Sequence, residues 1–266
     1  MRSIITTITV LWLSAAALQA SEGALRVAVI GGMSMSGMWQ KVAEAFEAHS
    51  GIAVETVVTG PKDELDGYCR AHPVDLVTMH SSDTMADLAG DGLFERLTPW
   101  ARNAQMIVGS RSNPARIAPE DSLEQALQKI AASGAPFLIH ASGGTFEVFG
   151  NLASTYGFEP SVRFTTAKRG FLHGVARDGG YTLYGVIPFL MQKQHHEEIA
   201  GYFIDDPALR RPYLAAIGSS HRIGAERHRN AEKLLAFLTS ETAQDIITTF
   251  RIGGFEKTPV FFPVKP

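Results

Sequence analysis

Twice in this chain a short apolar run ends in a glycine-bearing turn and gives way to a helical pattern. Leu25 to Ile30 runs into Gly31-Gly32, and Gly37 to His49 then carries Val42, Ala45 and Phe46 at helical spacing until Gly51 stops it. Ile52 to Val58 alternates as a strand, Glu64 to Cys69 suits a short helix, and Val74 to Met79 reads as a buried strand. Asp83 to Gly90 is a further helix. Beyond about residue 105 the grammar repeats: a strand at Gln105 to Gly109, a helix at Leu123 to Ala132, a strand at Phe137 to His140, and a helix at Thr145 to Tyr156. After Tyr213 to Ile217 come two more helices, Ala225 to Ser240 and Glu241 to Phe250. Strand and helix in strict alternation predict an α/β fold with mostly parallel sheets.

Composition narrows the class. Of 266 residues 45% are hydrophobic and 19% charged, enough apolar surface for two packed bodies. Twenty-four Lys and Arg against 27 Asp and Glu leave a net charge of -3, without the basic excess that a nucleic-acid binder needs, so no nucleic-acid partner is expected. The single cysteine, Cys69, precludes an intrachain disulfide and any multi-cysteine metal site. Residues 1–20 read as a secretory signal: Arg2 at the start, an almost uncharged stretch from Ile4 to Leu18, and small residues up to Ala20. The run falls short of the about 20 residues of a comfortable membrane span. The mature chain is therefore expected to be exported, with a periplasmic location.

Chemistry concentrates at the two glycine turns. One strand ends at Ile30 and gives Gly31, Gly32, Met33, Ser34, Met35, Ser36 and Gly37; the other ends at His140 and gives Ala141, Ser142, Gly143, Gly144 and Thr145. Each predicts freed backbone N–H groups, hydroxyls and a helix dipole at one point, a way to hold an anion without a formal cation. A serine at such a place is also an ordinary helix cap. Two of them, at the carboxyl ends of strands in two halves of the chain, point to ligand binding.

The order of these segments resembles type II periplasmic solute-binding proteins of ABC importers, most closely the tungstate-binding branch beside the molybdate and phosphate binders. The resemblance rests on Ser36-Gly37, Gly51-Ile52-Ala53-Val54, Thr59-Gly60, Asp75-Leu76-Val77-Thr78-Met79-His80, Met106-Ile107-Val108-Gly109, Ser142-Gly143-Gly144-Thr145, the Gly180-Tyr181-Thr182-Leu183 turn and Phe261-Phe262-Pro263. It implies two α/β lobes joined by crossing strands, closing on an oxyanion. Residues 21–104 and 218–266 would form lobe I and 105–217 lobe II, with hinges near Gln105 to Val108 and Tyr213 to Ile217. The expected ligand is tungstate or molybdate, held by Ser34, Ser36, Ser142, Thr145 and the Gly143 and Gly144 amides, with His80, His140, Tyr181 and Thr182 as further lining. Delivery to a membrane ABC permease by a monomer, without cofactor or metal, completes the expectation. Phosphate, a small organic acid or presentation to a membrane sensor are the alternatives.

The chain departs from the branch at informative places. The first turn keeps only Ser34 and Ser36 as hydroxyls, His140 stands near the place where the branch has an arginine, and Tyr184-Gly185-Val186 replaces an Asp-Arg pair. An arginine is an always-charged, two-pronged anion partner that histidine cannot replace at neutral pH. Met33, Met35 and Met38 read as flexible packing, and His195-His196-Glu197-Glu198 as a solvated charged face. His221, Arg222, Arg227, His228 and Arg229 read as a basic surface stripe that a permease could contact. An esterase set of Ser142, His140 and Glu147 is disfavoured, because Ala141 replaces the glycine of a nucleophile elbow.

Overall fold

Strand β1 (Leu25–Ile30) is buried at every position but Arg26, as suits a strand covered on both faces. A computed structural model describes residues 23–140, 144–165, 171–192 and 197–264; the signal reading and the Ser142-Gly143 turn lie outside them. No open glycine turn follows β1. A six-residue helix, Gly31–Ser36, starts at once and is closed by Gly37 in the left-handed conformation (φ 81°) before the helix Met38–Ser50 begins. Met33 and Met38 are fully buried and anchor both helices to the core, while Met35 is half exposed. A Cβ on Gly31 would stand 3.4 Å from the Gly60 carbonyl, an ordinary contact distance.

The chain continues through β2 (Val54–Gly60), the helix Lys62–Ala71, β3 (Leu76–His80), the helix Asp83–Gly90 and the 17-residue β4 (Phe94–Ser110). Helix Leu123–Ser133 opens on a capping box, in which Ser122 Oγ accepts from Gln125 N and Gln125 Oε1 accepts from Ser122 N. Then come β5 (Pro136–His140), helix Gly144–Tyr156, β6 (Ser161–Thr165), helix Phe171–Arg177, β7 (Tyr181–Gly185), helix Val186–Gln192, β8 (Ile199–Tyr202), β9 (Arg210–Gly218), the helices Ala225–Leu238 and Glu241–Thr249, and β10 (Phe261–Pro263). Tyr181 and Thr182, expected in a turn, lie in a buried strand instead. The turn precedes them: Gly179 has φ 63°, and a Cβ on Gly180 would collide with the Pro136 carbonyl.

Contacts divide the chain into two units. The first runs to Ala101 and resumes over Tyr213–Phe250; the second holds Arg102–Pro212 and Arg251–Phe262. The segment from Arg251 to Phe262 thus packs with the second unit, where the expectation gave all of 218–266 to the first. In the first unit the strand order is β2-β1-β3-β9, parallel except for antiparallel β9. Its core includes Trp100, whose Nε1 donates to Thr78 Oγ1 (2.8 Å) and whose ring meets Trp39 edge-on at 6.2 Å. Such an aromatic pair contributes about 0.5–1.5 kcal/mol beyond area burial. In the second unit the order is β4-β7-β5-β6, with β5 parallel to both neighbours and β8 antiparallel on β4. Its core gathers Leu127, Ile130, Phe137, Ile139, Leu152 and Tyr181.

Candidate functional site

At the carboxyl end of the first unit's sheet, β1 delivers Gly31 and Gly32 and β3 delivers His80. Opposite His80 in the ladder stands Tyr213, and the two rings stack at 4.1 Å. A Cβ on Gly32 would come within 3.7 Å of the Tyr213 hydroxyl, so the helix start, His80 and Tyr213 form one cluster. Ile30 precedes that helix without any side-chain cap, leaving its first N–H groups to other acceptors.

Both serines make hydrogen bonds within this unit. Ser36 Oγ donates to Met33 O (3.1 Å) and accepts from Met38 N (3.4 Å), which joins the two helices across Gly37. Ser34 Oγ accepts from Thr59 Oγ1 at 2.9 Å and borders a groove of about 490 Å³ that also carries Glu44 and Glu47. Two carboxylates make that groove a poor place for an anion.

In the second unit, β5 ends at His140, whose ring meets Phe171 edge-on at 6.0 Å. Thr145 is half-buried in the first turn of helix Gly144–Tyr156. Tyr181 and Thr182 belong to the core. The Tyr181 hydroxyl donates to Asn113 Oδ1 and accepts from Ala115 N, both at 2.9 Å, and burial pushes its pKa up to about 12. Thr182 Oγ1 donates to the Leu138 carbonyl at 2.7 Å. Their hydroxyls hold β7 to its neighbours.

A residue without a part in the sequence reading enters here. Arg211 of β9 is 8% exposed, and its Nη2 donates to Glu147 Oε2 (3.1 Å) in the first turn of helix Gly144–Tyr156. A buried guanidinium thus stands beside the helix that begins at Gly144. A signal for it existed: Tyr213, Ala215 and Ile217 alternate inward along β9, and Arg211 is in phase with them. Glu147, cast as an acid in the disfavoured esterase set, is the partner of this arginine.

Three residues of the basic stripe have structural partners, while His221 and Arg229 are exposed. Arg227 Nε and Nη2 clasp the fully buried Asp75, Arg222 donates to the carbonyls of Cys69, Arg70 and His72, and His228 meets Glu95 at 2.7 Å. Cys69 is buried, and desolvation pushes its thiol up to about 12. His195 and His196 lie outside the described residues; Glu197 lends its carbonyl to Arg111 and Glu198 pairs with His173. Among the described residues there is no group of three or more potential metal ligands, and no helix is long and apolar enough to cross a membrane.

A family model, described as bacterial extracellular solute-binding protein, matches residues 25–250. The chain belongs to that family. Solved structures agree on the architecture, the two-lobed α/β fold of type II periplasmic binding proteins. The tungstate-binding protein TupA from Desulfovibrio alaskensis G20 is similar with a TM-score of 0.71 and 20% identity, over 91% of this chain and 99% of that one. The tungstate ABC transporter structure from Geobacter sulfurreducens gives 0.68 and 21%, over 86% and 99%. The substrate-binding domain of a putative molybdenum ABC transporter from Clostridium difficile gives 0.59 and 14%, over 91% and 99%. No curated protein matches this solute-binding chain.

Proposed function

We propose that this protein is an exported, periplasmic binding component of an ABC importer that captures a small oxyanion, tungstate or molybdate first, and that it acts by binding and not by catalysis. The observation that carries the anion reading is Arg211: a cation kept from water beside a helix start needs a negative partner, and a tetrahedral oxyanion offers its fork two oxygens. The Ser142-Gly143-Gly144-Thr145 run, at the amino end of the same helix, would add hydroxyls and amides directed at the anion. Gly31 and Gly32, with His80 nearby, are the first unit's candidates. Two similar structures named for tungstate support the choice of ligand, and family membership supports export and delivery to a membrane permease.

One observation favours a second ligand class. Phe146 and Phe164 are 50% and 62% exposed, and their rings lie 6.3 Å apart near the same helix start. Exposed aromatics at that helix start suit a small organic acid with an apolar body. Thermal melts with tungstate, molybdate, phosphate, sulfate and a panel of carboxylates test both readings. At one hundred times Kd a ligand stabilises by about 2.7 kcal/mol, roughly 5–11 °C for a chain of this size. No shift with any tetrahedral oxyanion across the micromolar range would remove the first reading, and a carboxylate-only shift would establish the second.

A further inference from the structure

We propose that Glu147 is a resident counter-anion: it occupies Arg211 in the free protein and yields it to the incoming anion, so that their ion pair sets affinity and selectivity. The inference rests on the reading that Arg211 takes an anion, and it adds a regulator to that site.

The two partners are unequal. The Arg211 side chain is 10% exposed and that of Glu147 is 55% exposed. Arg211 therefore cannot leave the site without dragging a charge through packed surroundings, whereas the Glu147 carboxylate can turn into water with most of its hydration already in place. Their bond is also incomplete. A guanidinium has five N–H donors in a fork, and among the described residues the side chain of Arg211 makes a single hydrogen bond, from Nη2 at 3.1 Å. An oxyanion with two suitably spaced oxygens can engage more of the fork than Glu147 does.

The same chain contains the opposite case for comparison. Asp75 is fully buried and receives both Nε and Nη2 of Arg227 as well as the Arg26 amide, so its carboxylate is held from two sides. A permanent bridge buries the carboxylate and engages two prongs of the fork. The pair at Arg211 does neither, which is the geometry of an exchangeable partner. Selectivity follows from the exchange: a ligand must outcompete a tethered carboxylate, so a weakly held or one-pronged anion such as chloride stays out.

The test compares the wild type with Glu147→Gln and Arg211→Lys by thermal melts and by calorimetric titration with sodium tungstate and sodium sulfate, chloride being used to match ionic strength. In chloride alone Glu147→Gln should melt below the wild type, because Arg211 has lost its counter-charge. With tungstate or sulfate it should gain a larger rise in midpoint than the wild type and bind about fivefold or more tightly, the lower range of a coupling between two competing partners. Arg211→Lys, which keeps the charge but loses the fork, should weaken binding. If the wild type binds and Glu147→Gln binds equally or less well, the counter-anion is overturned and the anion-binding reading stands. If Glu147→Gln alone responds, the counter-anion stands and the wild type is not a binder of those anions. If neither responds, both fall.

Discussion

Arg227→Ala should destabilise the protein strongly while leaving the proposed anion binding unchanged. Asp75 is fully buried at the start of β3, accepting from Arg26 N at 2.6 Å and from Arg227 Nε at 2.9 Å, with Nη2 on its second oxygen. Its own amide and carbonyl join Arg26 O and Gly218 N, so the carboxylate sits where β1, β3 and β9 are knitted together. Removing the arginine strands a buried carboxylate, a loss of about 3–5 kcal/mol for a fully enclosed pair. The Arg227 side chain is 35% exposed, so water can reach part of the vacated space. The discounted figure is about 2–4 kcal/mol, or roughly 4–16 °C in thermal midpoint for a chain of this size. Arg227→Lys should keep about half of the loss, since a point charge cannot serve both oxygens. The double variant with Asp75→Asn should lose less than the sum of the singles. Urea unfolding is the assay, with anion titration beside it. A loss below about 0.5 kcal/mol would mean that the pair acts as an ordinary surface bridge, and would refute the reasoning. A permease-contact role makes the contrary forecast: normal stability and normal binding, with defective uptake in cells.

Tyr181→Phe should cost about 1–3 kcal/mol, because Ala115 N loses a buried acceptor and Asn113 a donor; urea unfolding with an unchanged midpoint would contradict it. Burial raises the Tyr181 phenol from 10.0 to about 12, so the folded state keeps a proton that the unfolded chain loses. Stability from this group is complete below about pH 10 and drains away as pH rises toward 12, and Tyr181→Phe should flatten that slope in unfolding curves taken across the window. The Cys69 thiol is raised from 9.0 to about 12 by the same cause and adds to alkaline loss from pH 9 upward. At pH 8 a chromogenic disulfide reagent should leave native Cys69 untouched and react once urea unfolds the chain; native reaction at the unfolded rate would refute its burial.

The first unit was legible because its elements carry strong local marks. β1 is a nearly continuous buried run bounded by glycine, and it spans Leu25–Ile30 as the pattern indicates. Helix Asp83–Gly90 likewise keeps its expected bounds. The second unit hides more. β6 is exposed at three of its five positions, so it shows no apolar run, and β7 follows Gly179-Gly180, whose turn signal spread onto Tyr181 and Thr182. The glycines serve a strand entry: a Cβ at Gly180 would strike the Pro136 carbonyl, and Gly109 has no room for one beside the Tyr181 ring. Local composition reads a turn there, while the close approach of strands β4, β5 and β7 decides the outcome.

The candidate site divides along the same line. The strand-end glycines stand out in the sequence, yet at Gly31 and Gly32 a Cβ would meet only ordinary contact distances. Serines gave a weaker signal, since a hydroxyl at a helix start is as ready to cap as to bind, and Ser36 spends both of its hydrogen bonds joining two helices. Arg211 was the hardest to find, for it meets Glu147 across 64 residues of sequence. Its mark lay in periodicity alone: a charge in phase with three inward-facing residues of a strand must be buried, and a buried charge must be answered. The absence of arginine near His140 pointed to an anion held by dipoles and hydroxyls alone. With a guanidinium brought in from β9, the candidate site has a permanent charge, and near-neutral composition no longer argues against an anion there.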